Sequence, residues 1–547
     1  MVTIKINNQI NTVPKGTTPL SLLPDNVKKN YIICLVNGRV RELTYPLMFD
    51  AEVEYLDLCN SEAGKVYEAS LRYVIAMAFK NLYPKASIRF NYNVSRSILC
   101  TSANSDFIID VKVVNNIRSE VERLIKEDLE IKRVTVSIDD AKKIYQDFGM
   151  SDKLNILTYR PERDVHLYKC GEYLNYMHAY MVPSTGYLKE FIIKPYSPGL
   201  IIQYPRYELN GVIPVFQDAP VYGRTLKRAY EWSKMIDTKT IFDINQKITP
   251  KNLVDFIQTC ETKHNNMIAE LGKMIADDIE NIRLIAIAGP SSSGKTTFSN
   301  RLRIELLSRG IKPIMISMDD YYLDRDKIAP GPDGKLDLED INTLDIDLFN
   351  QHMYALINGE EVEIPRFDFN IAKRVKGHKL QVPANQPIII EGIHALNEQM
   401  SSLIPKHQKF KIFISPQIQI NIDNHSPMST TDLRLIRRIV RDNQFRNAPA
   451  KQTLSMWASV RRGEFKWIYP HQEQSDYVFN SELTYELCVL KKYAVPLLKA
   501  IGPEDEYFIM ANRLLKYLKY FTPIEENAIP CNSLLREFIG GSCFYDV

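Results

Sequence analysis

The sequence predicts a multidomain α/β protein whose C-terminal half contains a parallel β-sheet flanked by helices. From Ile282 onward, short apolar runs rich in β-branched residues alternate with helical stretches, which is typical of βαβ units. Residues 1–60 alternate apolar and polar side chains in short runs separated by turn signals such as Asn37-Gly38, and this pattern predicts a small mixed β module. A chain of 547 residues is long enough for about three or four domains.

Changes in pattern divide the chain into four regions, of which residues 1–60 are the first. Residues 61–206 begin with a helix predicted over 66–82 and continue with mixed strands and helices. Residues 207–278 hold a loop region and then polar helices, which we interpret as a helical linker. Residues 279–547 contain the parallel sheet. The predicted strands of this sheet are 284–288, 313–318, 386–391 and 410–415.

The composition is that of an ordinary globular protein, with 45% hydrophobic and 25% charged residues. A formal net charge of +3 gives no electrostatic case for wrapping around nucleic acid or lying on a membrane surface. The 8 cysteines form no C-x-x-C pair, so neither a disulfide framework nor a zinc knuckle is indicated. The N-terminal segment lacks an apolar signal core, and no apolar run is long enough to span a bilayer. We therefore expect a soluble, cytoplasmic protein.

Residues 283–298 predict a phosphate-binding loop. After an apolar strand, Gly289-Pro-Ser-Ser-Ser-Gly294-Lys295-Thr296 fits the pattern G-x-x-x-x-G-K-[ST], and an amphipathic helix follows. Backbone N–H groups of such a loop cradle phosphate oxygens at a helix N-terminus. Lys295 would bridge the β- and γ-phosphates of ATP, and the Thr296 hydroxyl would ligate Mg²⁺. A Ser/Gly-rich surface loop is the alternative, but the strand before the loop and the helix after it favour nucleotide binding.

Acidic residues follow two of the predicted strands. Asp319 comes directly after the second strand, where a carboxylate can accept a proton from an attacking hydroxyl and help to hold Mg²⁺. Glu391 ends the third strand, where an acidic residue can orient the metal and its water. Ligands bind at the carboxyl ends of parallel strands, so we expect both carboxylates near the phosphate-binding loop. Capping of the next helix is the structural alternative for Asp319.

Residues 432–442 contain a run of arginines at helical spacing. Arg434, Arg437, Arg438 and Arg441 are predicted to form a cationic face. Guanidinium groups bind phosphate bidentately, so we expect this helix to close over ATP as a lid and to neutralise charge in the transition state. The alternative is a solvated helix face.

The order of these motifs resembles the uridine/cytidine kinase and phosphoribulokinase family. The phosphate-binding loop, Asp319-Asp-Tyr-Tyr322, Ile364-Pro-Arg-Phe-Asp-Phe369, Glu391-Gly392 and the arginine run occur in the order seen in that family, over residues 282–490. The resemblance implies a P-loop kinase that uses ATP and Mg²⁺ to phosphorylate the 5′-hydroxyl of a ribonucleoside. The whole arrangement is similar to long bacterial nucleoside kinases.

The resemblance also implies roles for individual residues. The implied catalytic residues are Asp319 as general base, Lys295 and Arg438. The implied ATP-binding residues are Gly289, Ser291, Ser292, Ser293, Gly294, Lys295, Thr296, Thr297, Arg437 and Arg441. The implied substrate-binding residues are Tyr322 and Phe367 as pocket walls, Asp337 as a ribose-hydroxyl ligand, Arg434 and Gln452. The implied metal ligands are Thr296, Asp319 and Glu391.

Three departures from the family pattern concern the acceptor and the arginine helix. Ala372 stands where uridine/cytidine kinases carry a histidine that reads the pyrimidine edge, and Phe367 stands at a tyrosine position. Without these donors the preferred base stays open. An insertion, residues 416–430, separates the fourth strand from the arginine helix.

The front of the chain resembles threonyl-tRNA synthetases. Residues 1–60 are similar to the ubiquitin-like TGS domain, a β-grasp fold, and residues 61–206 are similar to the second additional domain, an α+β editing module. The editing histidines and cysteine of that module are replaced here by Ala69, Tyr73, Met177 and Met181. Alanine and methionine cannot hold zinc at such a site, so we interpret the module as a binding or structural remnant. A relocated site from His166, Cys170 and His178 is the alternative.

The leading hypothesis is therefore an ATP- and Mg²⁺-dependent nucleoside kinase with a uridine-type acceptor. A kinase for a purine nucleoside or a sugar phosphate is the alternative within enzymes. A nucleotide-switched, RNA-binding regulator is a different class of function, which the synthetase-like front suggests. Contact with tRNA through the front half and homo-oligomerisation are left open, and no membrane partner is expected.

Overall fold

A computed structural model describes residues 1–7, 9–103, 106–328, 337, 339–368, 371–383 and 385–544. The first region contains β1 Val2–Ile6, β2 Gln9–Val13, β3 Ile33–Val36, β4 Arg39–Arg41 and β5 Ala51–Leu56. These strands form one sheet in the order β2-β1-β5-β3-β4. The β1–β5 pair is parallel and the other pairs are antiparallel, which is the β-grasp arrangement predicted for this region.

The second region packs two antiparallel sheets around a long helix. Its helices are α1 Ser61–Leu82, α2 Val111–Lys126, α3 Ile138–Asp147 and α4 Ser151–Ile156. Its strands are β6 Ile88–Tyr92, β7 Ile98–Ser102, β8 Lys132–Ser137, β9 Asp164–Cys170, β10 Tyr173–Asn175, β11 Ile192–Tyr196 and β12 Gly199–Gln203. The sheet orders are β10-β9-β8 and β11-β12-β7-β6. Helix α1 begins earlier than the predicted residue 66, because the Asn60 side chain caps it by accepting from Glu62 N.

The region predicted as a helical linker forms α5 Pro220–Met235, α6 Ile241–Lys247 and α7 Leu253–Asp277. Helix α7 does more than connect, because it packs against the helix that follows the phosphate-binding loop. Its buried Ile257, Leu271 and Ile275 share one apolar cluster with Phe298 and Leu302 of that helix. Among the helices of the described residues, none combines the length and apolar character that a bilayer crossing requires.

The C-terminal region is built on a parallel sheet. Its strands are β13 Leu284–Ala288, β14 Ile314–Ser317, β15 Glu361–Asp368, β16 Lys373–Gln381, β17 Ile388–Glu391, β18 Lys409–Ser415, β19 Asn421–Asp423, β20 Ser426–Pro427 and β21 Tyr477–Asn480. Its helices are α8 Lys295–Ser308, α9 Ile346–Ile357, α10 Thr430–Arg446, α11 Ala450–Gly463, α12 Glu486–Lys499, α13 Phe508–Leu518 and α14 Arg536–Ile539. The order β14-β17-β13-β18-β21 is parallel throughout. All residues of β13 are buried, as the centre of a sheet covered on both faces requires.

The four predicted strands of this sheet are present with small differences at their ends. Strands β14 and β17 begin just after Pro313 and Pro387, because proline has no N–H to donate to the ladder. Strand β18 begins at Lys409, one residue before the predicted start. The carboxyl ends of β14 and β17 are level, since Ser317 pairs with Glu391.

The insertion at residues 416–430 docks into the front half of the chain. Asn421 Nδ2 donates to Phe90 O over 2.8 Å, and Phe90 N donates to Asn424 O over 2.9 Å. Arg89 Nη2 donates to Gln419 O over 2.8 Å. The β19–β20 hairpin is therefore held against β6 by backbone and side-chain hydrogen bonds.

In the synthetase-like module, side chains are packed without solvent exposure at the four positions that correspond to the editing residues. Ala69, Tyr73, Met177 and Met181 are all buried. The tip of the hairpin lies near Met177, since Asn175 Nδ2 is 3.0 Å from His425 Nδ1 and also donates to Met177 Sδ over 3.4 Å. His166 contacts Thr135 and His178 contacts Asp423, so these two imidazoles have separate partners.

Candidate active site

The phosphate-binding loop runs from the end of β13 to the start of α8. A Cβ at Gly289 would lie 2.0 Å from Ile414 O, so the close approach of β18 requires glycine there. Gly294 has φ +93°, a left-handed conformation that glycine adopts without strain. Lys295 Nζ donates to Gly289 O over 3.1 Å, which folds the lysine back over the loop. The close approach of β18 thus explains Gly289, and the left-handed backbone conformation explains Gly294.

The loop has buried hydroxyls whose hydrogen-bonding capacity is unused. Ser292, Ser293 and Thr297 are 2%, 1% and 0% exposed, and none of their Oγ atoms has a hydrogen-bond partner among the described residues. Buried polar groups are normally hydrogen-bonded, so three orphaned hydroxyls around one loop indicate a polar ligand. Together with the backbone N–H groups at the N-terminus of the following helix, they fit the phosphate oxygens of a nucleotide.

Asp319 and Glu391 lie at the carboxyl ends of neighbouring strands, beside the loop. Burial raises the pKa of the Glu391 carboxyl to about 7, while Lys295 and a hydrogen bond from Thr296 oppose the rise and Asp319 adds to it. The pKa of Asp319 is also raised, first by desolvation of its carboxyl, and Lys295 again opposes. Because these groups affect one another's pKa values, the two acids, the lysine and the threonine are neighbours in one cleft.

The same cleft fits Mg²⁺. The described residues contain no cluster of three or more His, Cys, Asp or Glu side chains that could cage a metal by themselves. Magnesium does not need such a cage, because it usually takes one or two carboxylates and completes its shell with waters and substrate phosphates. Asp319, Glu391 and the Thr296 hydroxyl supply oxygen donors of that kind, and repulsion between the two acids favours a cation between them.

Arg438 is the arginine of α10 that reaches a loop hydroxyl. Its Nη1 donates to Ser291 Oγ over 3.0 Å, and its Nε donates to Asp442 Oδ2 over 3.2 Å. Arg441 and Arg446 also pair with Asp442, at 2.8 and 3.9 Å. Three guanidinium groups therefore share one carboxylate, and the excess positive charge suits a polyphosphate.

The other two arginines of α10 differ from the predicted lid. Arg434 forms an ion pair with Glu464, both 1% exposed, and also donates to Tyr469 Oη over 3.1 Å. Arg437 pairs with Glu486 over 2.7 Å and donates to Ser292 O over 3.3 Å. Helix α10 is buried from Asp432 through Val440, so it is packed into the wall of the site and is not a solvated helix face. The acids that hold these arginines come from elements 30 and 49 residues further along the chain.

The two aromatic residues predicted as pocket walls, Tyr322 and Phe367, contact each other. The rings of Tyr322 and Phe367 are 5.7 Å apart and tilted edge to face. Phe367 N donates to Asp320 Oδ1 over 3.1 Å, which ties β15 to the end of β14. Ala372 has φ +54° and lies at the turn between β15 and β16, whereas residues 369 and 370 lie outside the described part of the chain.

Asp337, predicted as a ribose-hydroxyl ligand, lies two residues before a second acid, Glu339. Asp337 Oδ1 accepts from Glu339 N over 3.2 Å and so stabilises its own turn, while residues 336 and 338 lie outside the described part of the chain. Burial raises the pKa of the Glu339 carboxyl to about 6, and Arg438 and Lys295 oppose the rise. The Glu339 carboxyl is thus the one near the cationic groups, and only its neighbours in space could have revealed that.

Gln452 is not brought into this cluster. It is exposed in the first turn of α11, and its side chain makes no hydrogen bond to any described residue of the cleft. Apart from Asp337, the remaining predicted residues lie on the loop and the start of α8, at or just after the ends of β14 and β17, on α10 or in the aromatic pair.

The phosphate-binding loop lies at the edge of a parallel sheet with two acids, a lysine and arginines beside it. Residues 284–487 match the model of the Phosphoribulokinase / Uridine kinase family, which confirms the resemblance predicted for this part of the chain. A solved structure titled as a possible uridine kinase, from Bacillus stearothermophilus, is similar at 17% identity with a TM-score of 0.28. That match covers 40% of this chain and 98% of the other.

The front half is similar to threonine–tRNA ligases, as predicted. The enzyme of Carboxydothermus hydrogenoformans is 26% identical over 196 residues, which are 35% of this chain and 31% of the ligase. Threonine–tRNA ligase 2 of Bacillus subtilis is 30% identical over 197 residues, which are 34% of this chain and 30% of the ligase. The chain therefore spans about a third of the length of the curated relatives it matches.

Proposed function

We propose that this protein is a cytoplasmic, ATP-dependent kinase that phosphorylates a ribonucleoside at its 5′-hydroxyl. The observation that carries the proposal is the convergence of Lys295, Asp319, Glu391 and Arg438 beside the phosphate-binding loop. Phosphoryl transfer needs a proton acceptor for the attacking hydroxyl and cations around the transferred group, and this cleft contains both.

Each residue of the cleft has a role in that reaction. Asp319 accepts the proton of the 5′-hydroxyl, whose oxygen forms a bond to the γ-phosphorus while the bond to the β-phosphate oxygen breaks and ADP leaves. Its raised pKa makes its carboxylate a stronger base than an ordinary aspartate. Lys295 and Arg438 stabilise the negative charge on the phosphoryl oxygens. Thr296, Asp319 and Glu391 would hold Mg²⁺, which would supply positive charge to neutralise the phosphate oxygens.

The acceptor is held by fewer specific groups than the phosphates. Tyr322 and Phe367 offer faces for stacking a base, and Glu339 offers a carboxylate to sugar hydroxyls. Ala372 presents only a methyl group where a pyrimidine-reading histidine is expected, so uridine, a purine nucleoside and a sugar phosphate are all to be tested.

The test is ADP release from ATP and Mg²⁺ with uridine, cytidine, adenosine, guanosine and ribulose 5-phosphate. Asp319→Asn should lower kcat about a hundredfold or more, because it removes the proton acceptor and keeps the shape. Asp326→Asn, an exposed acid in the turn that follows, is the matched control and should retain full activity. If no acceptor turns over although ATP binds, the kinase proposal fails.

A nucleotide-switched RNA regulator is the second candidate, which the similarity to threonine–tRNA ligases favours. It requires the full chain to retard tRNA in a mobility-shift assay, with an affinity that falls as salt rises. The buried packing at Met177 and the hairpin beside it argue against the former editing cleft as the contact surface. A lack of any shift, with and without ATP, would remove this candidate.

A further inference from the structure

The segment of residues 529–540 packs over the phosphate-binding loop, and the mechanism above makes no use of it. Its Leu534, Leu535 and Phe538 are 1%, 0% and 0% exposed and belong to the apolar cluster that contains α8 and α10. A Cβ at Gly294 would lie 2.4 Å from Leu534 Cδ2, so the segment touches the loop directly. The apolar anchors fix the backbone of the short helix α14 beside the nucleotide cleft.

Glu537 of α14 uses a backbone donor of that cleft. Thr297 N donates to Glu537 Oε2 over 3.1 Å. Thr297 is the third residue of α8, and the N–H groups of the first turn have no partner within their own helix. They are the donors that a phosphate-binding loop offers to its ligand, and the positive end of the helix dipole favours an anion there. A carboxylate oxygen therefore occupies a position suited to a phosphate oxygen.

Electrostatics make this contact incompatible with a bound polyphosphate. Glu537 is near enough to Glu391 to contribute to the raised pKa of that carboxyl. A nucleotide would bring several further negative charges against the same amides, and like charges within a few ångströms repel strongly. Leu534 and Phe538 hold the backbone, so rotation of the half-buried Glu537 side chain is enough to release Thr297 N.

We propose that Glu537 is an internal competitor for the nucleotide phosphates, an autoinhibitory contact that must be displaced before ATP binds. The proposal rests on the proposed function in one respect, namely that the loop binds nucleotide. In this proposal the C-terminal segment lowers the affinity of the loop for nucleotide. Any ligand or partner that draws this segment away from the loop would tighten ATP binding.

The test compares nucleotide affinities of full-length variants by calorimetry. Glu537→Gln and Glu537→Ala should bind ADP and inorganic tripolyphosphate about tenfold more tightly than the unmodified chain, because a charge-assisted hydrogen bond no longer has to be broken. Adenosine, which carries no phosphate, should bind equally to all of them. Glu525→Gln is the matched control, since Glu525 is an exposed acid of the same tail that pairs with Lys492.

The alternatives give different results. Unchanged or weaker ADP binding by both Glu537 variants, with Lys295→Ala abolishing binding, would overturn the competitor and leave the proposed function intact. Lower thermal stability of the unliganded Glu537→Gln variant without a gain in ADP affinity would show a purely structural contact and would also overturn it. No nucleotide binding by the unmodified chain or any variant would overturn both proposals.

Discussion

Asp423 joins the two halves of the chain, and its replacement tests how strongly they are held together. Its carboxylate, in the docked hairpin, lies 2.9 Å from Lys153 Nζ and 3.3 Å from His178 Nε2 of the front half. The side chains of Lys153 and Asp423 are 2% and 0% exposed. Asp423→Ala therefore leaves a buried ammonium group without its carboxylate.

The loss of stability in Asp423→Ala can be estimated from the removal of one partner of a buried ion pair. Breaking a buried ion pair on one side costs about 3–5 kcal/mol, because the remaining charge is no longer compensated. Lys153 Nζ keeps a hydrogen bond to Tyr176 O at 2.7 Å, so we expect about 3 kcal/mol for Asp423→Ala. Replacing both groups, Lys153→Met with Asp423→Leu, removes the stranded charge and should recover about 2 kcal/mol of that loss.

Guanidinium chloride unfolding at pH 7, followed by tryptophan fluorescence, measures this cost. All three tryptophans lie outside residues 1–206: Trp457 and Trp467 are in the C-terminal region, and Trp232 of α5 donates a hydrogen bond to Thr484 of that region. A lower midpoint in Asp423→Ala would show that the front half stabilises the region that contains the phosphate-binding loop. Asp25→Ala, at an exposed surface pair, is the control and should leave the midpoint unchanged.

The pH dependence has a defined sign. Burial acts to raise the pKa of Asp423, but the Lys153 ammonium group and His178 hold it well below its usual value of 3.8. The stabilisation is therefore present above about pH 4 and is lost as the pH falls through the folded-state pKa. An Asp423→Ala variant as stable as the unmodified chain at pH 7, or a double variant that loses the sum of the single losses, would refute this reasoning.

Three further predictions concern other sites. Burial raises the pKa of the Glu482 carboxyl from 4.5 to about 7. The folded state therefore keeps its full stability below pH 4.5 and loses stability as the pH rises through 7, where the buried carboxyl must ionise. Glu482→Gln should raise the free energy of unfolding by up to about 3 kcal/mol at pH 8 and little at pH 5 in denaturant titrations. Gly289→Ala should abolish ATP binding in calorimetry while the chain still folds, because the added Cβ meets Ile414 O at 2.0 Å and displaces the loop. The exposed Cys531 and Cys543 are joined by a backbone hydrogen bond of 3.0 Å, so oxidised glutathione should couple them into a disulfide. Intact-mass analysis should detect the disulfide as the loss of two hydrogens, and Cys531→Ser should prevent it.

The parts of the fold that the sequence predicted are those specified by neighbouring residues. The phosphate-binding loop, the four strands around it and the β-grasp sheet depend on glycines, β-branched runs and turns that are contiguous in the chain. Strand ends were misplaced where Pro313 and Pro387 remove a backbone donor, a signal that the sequence contained.

The parts that escaped prediction depend on residues far apart in the chain. The spacing of its arginines predicts that α10 is a charged lid, whereas in the structure Arg434 and Arg437 form buried ion pairs with Glu464 and Glu486. Glu537 contacts Thr297 across 240 residues, and no local pattern marks it as part of the nucleotide cleft. Patterns of spacing identify chemical groups, but only the tertiary structure shows which of them already have a partner.

The front half supports the helix that carries Arg438. Arg513 of α13 donates to Glu62 at the start of α1 and to Asp432 in the first turn of α10, each over 2.9 Å. Further along α1, Arg72 hydrogen-bonds the backbone carbonyl of His425 in the docked hairpin that precedes α10. Helix α1 is thus connected to both the hairpin and the start of α10, whose arginines contact the phosphate-binding loop. The front half therefore contributes to the position of α10, because Glu62 of α1 and Asp432 of α10 share the Arg513 guanidinium group.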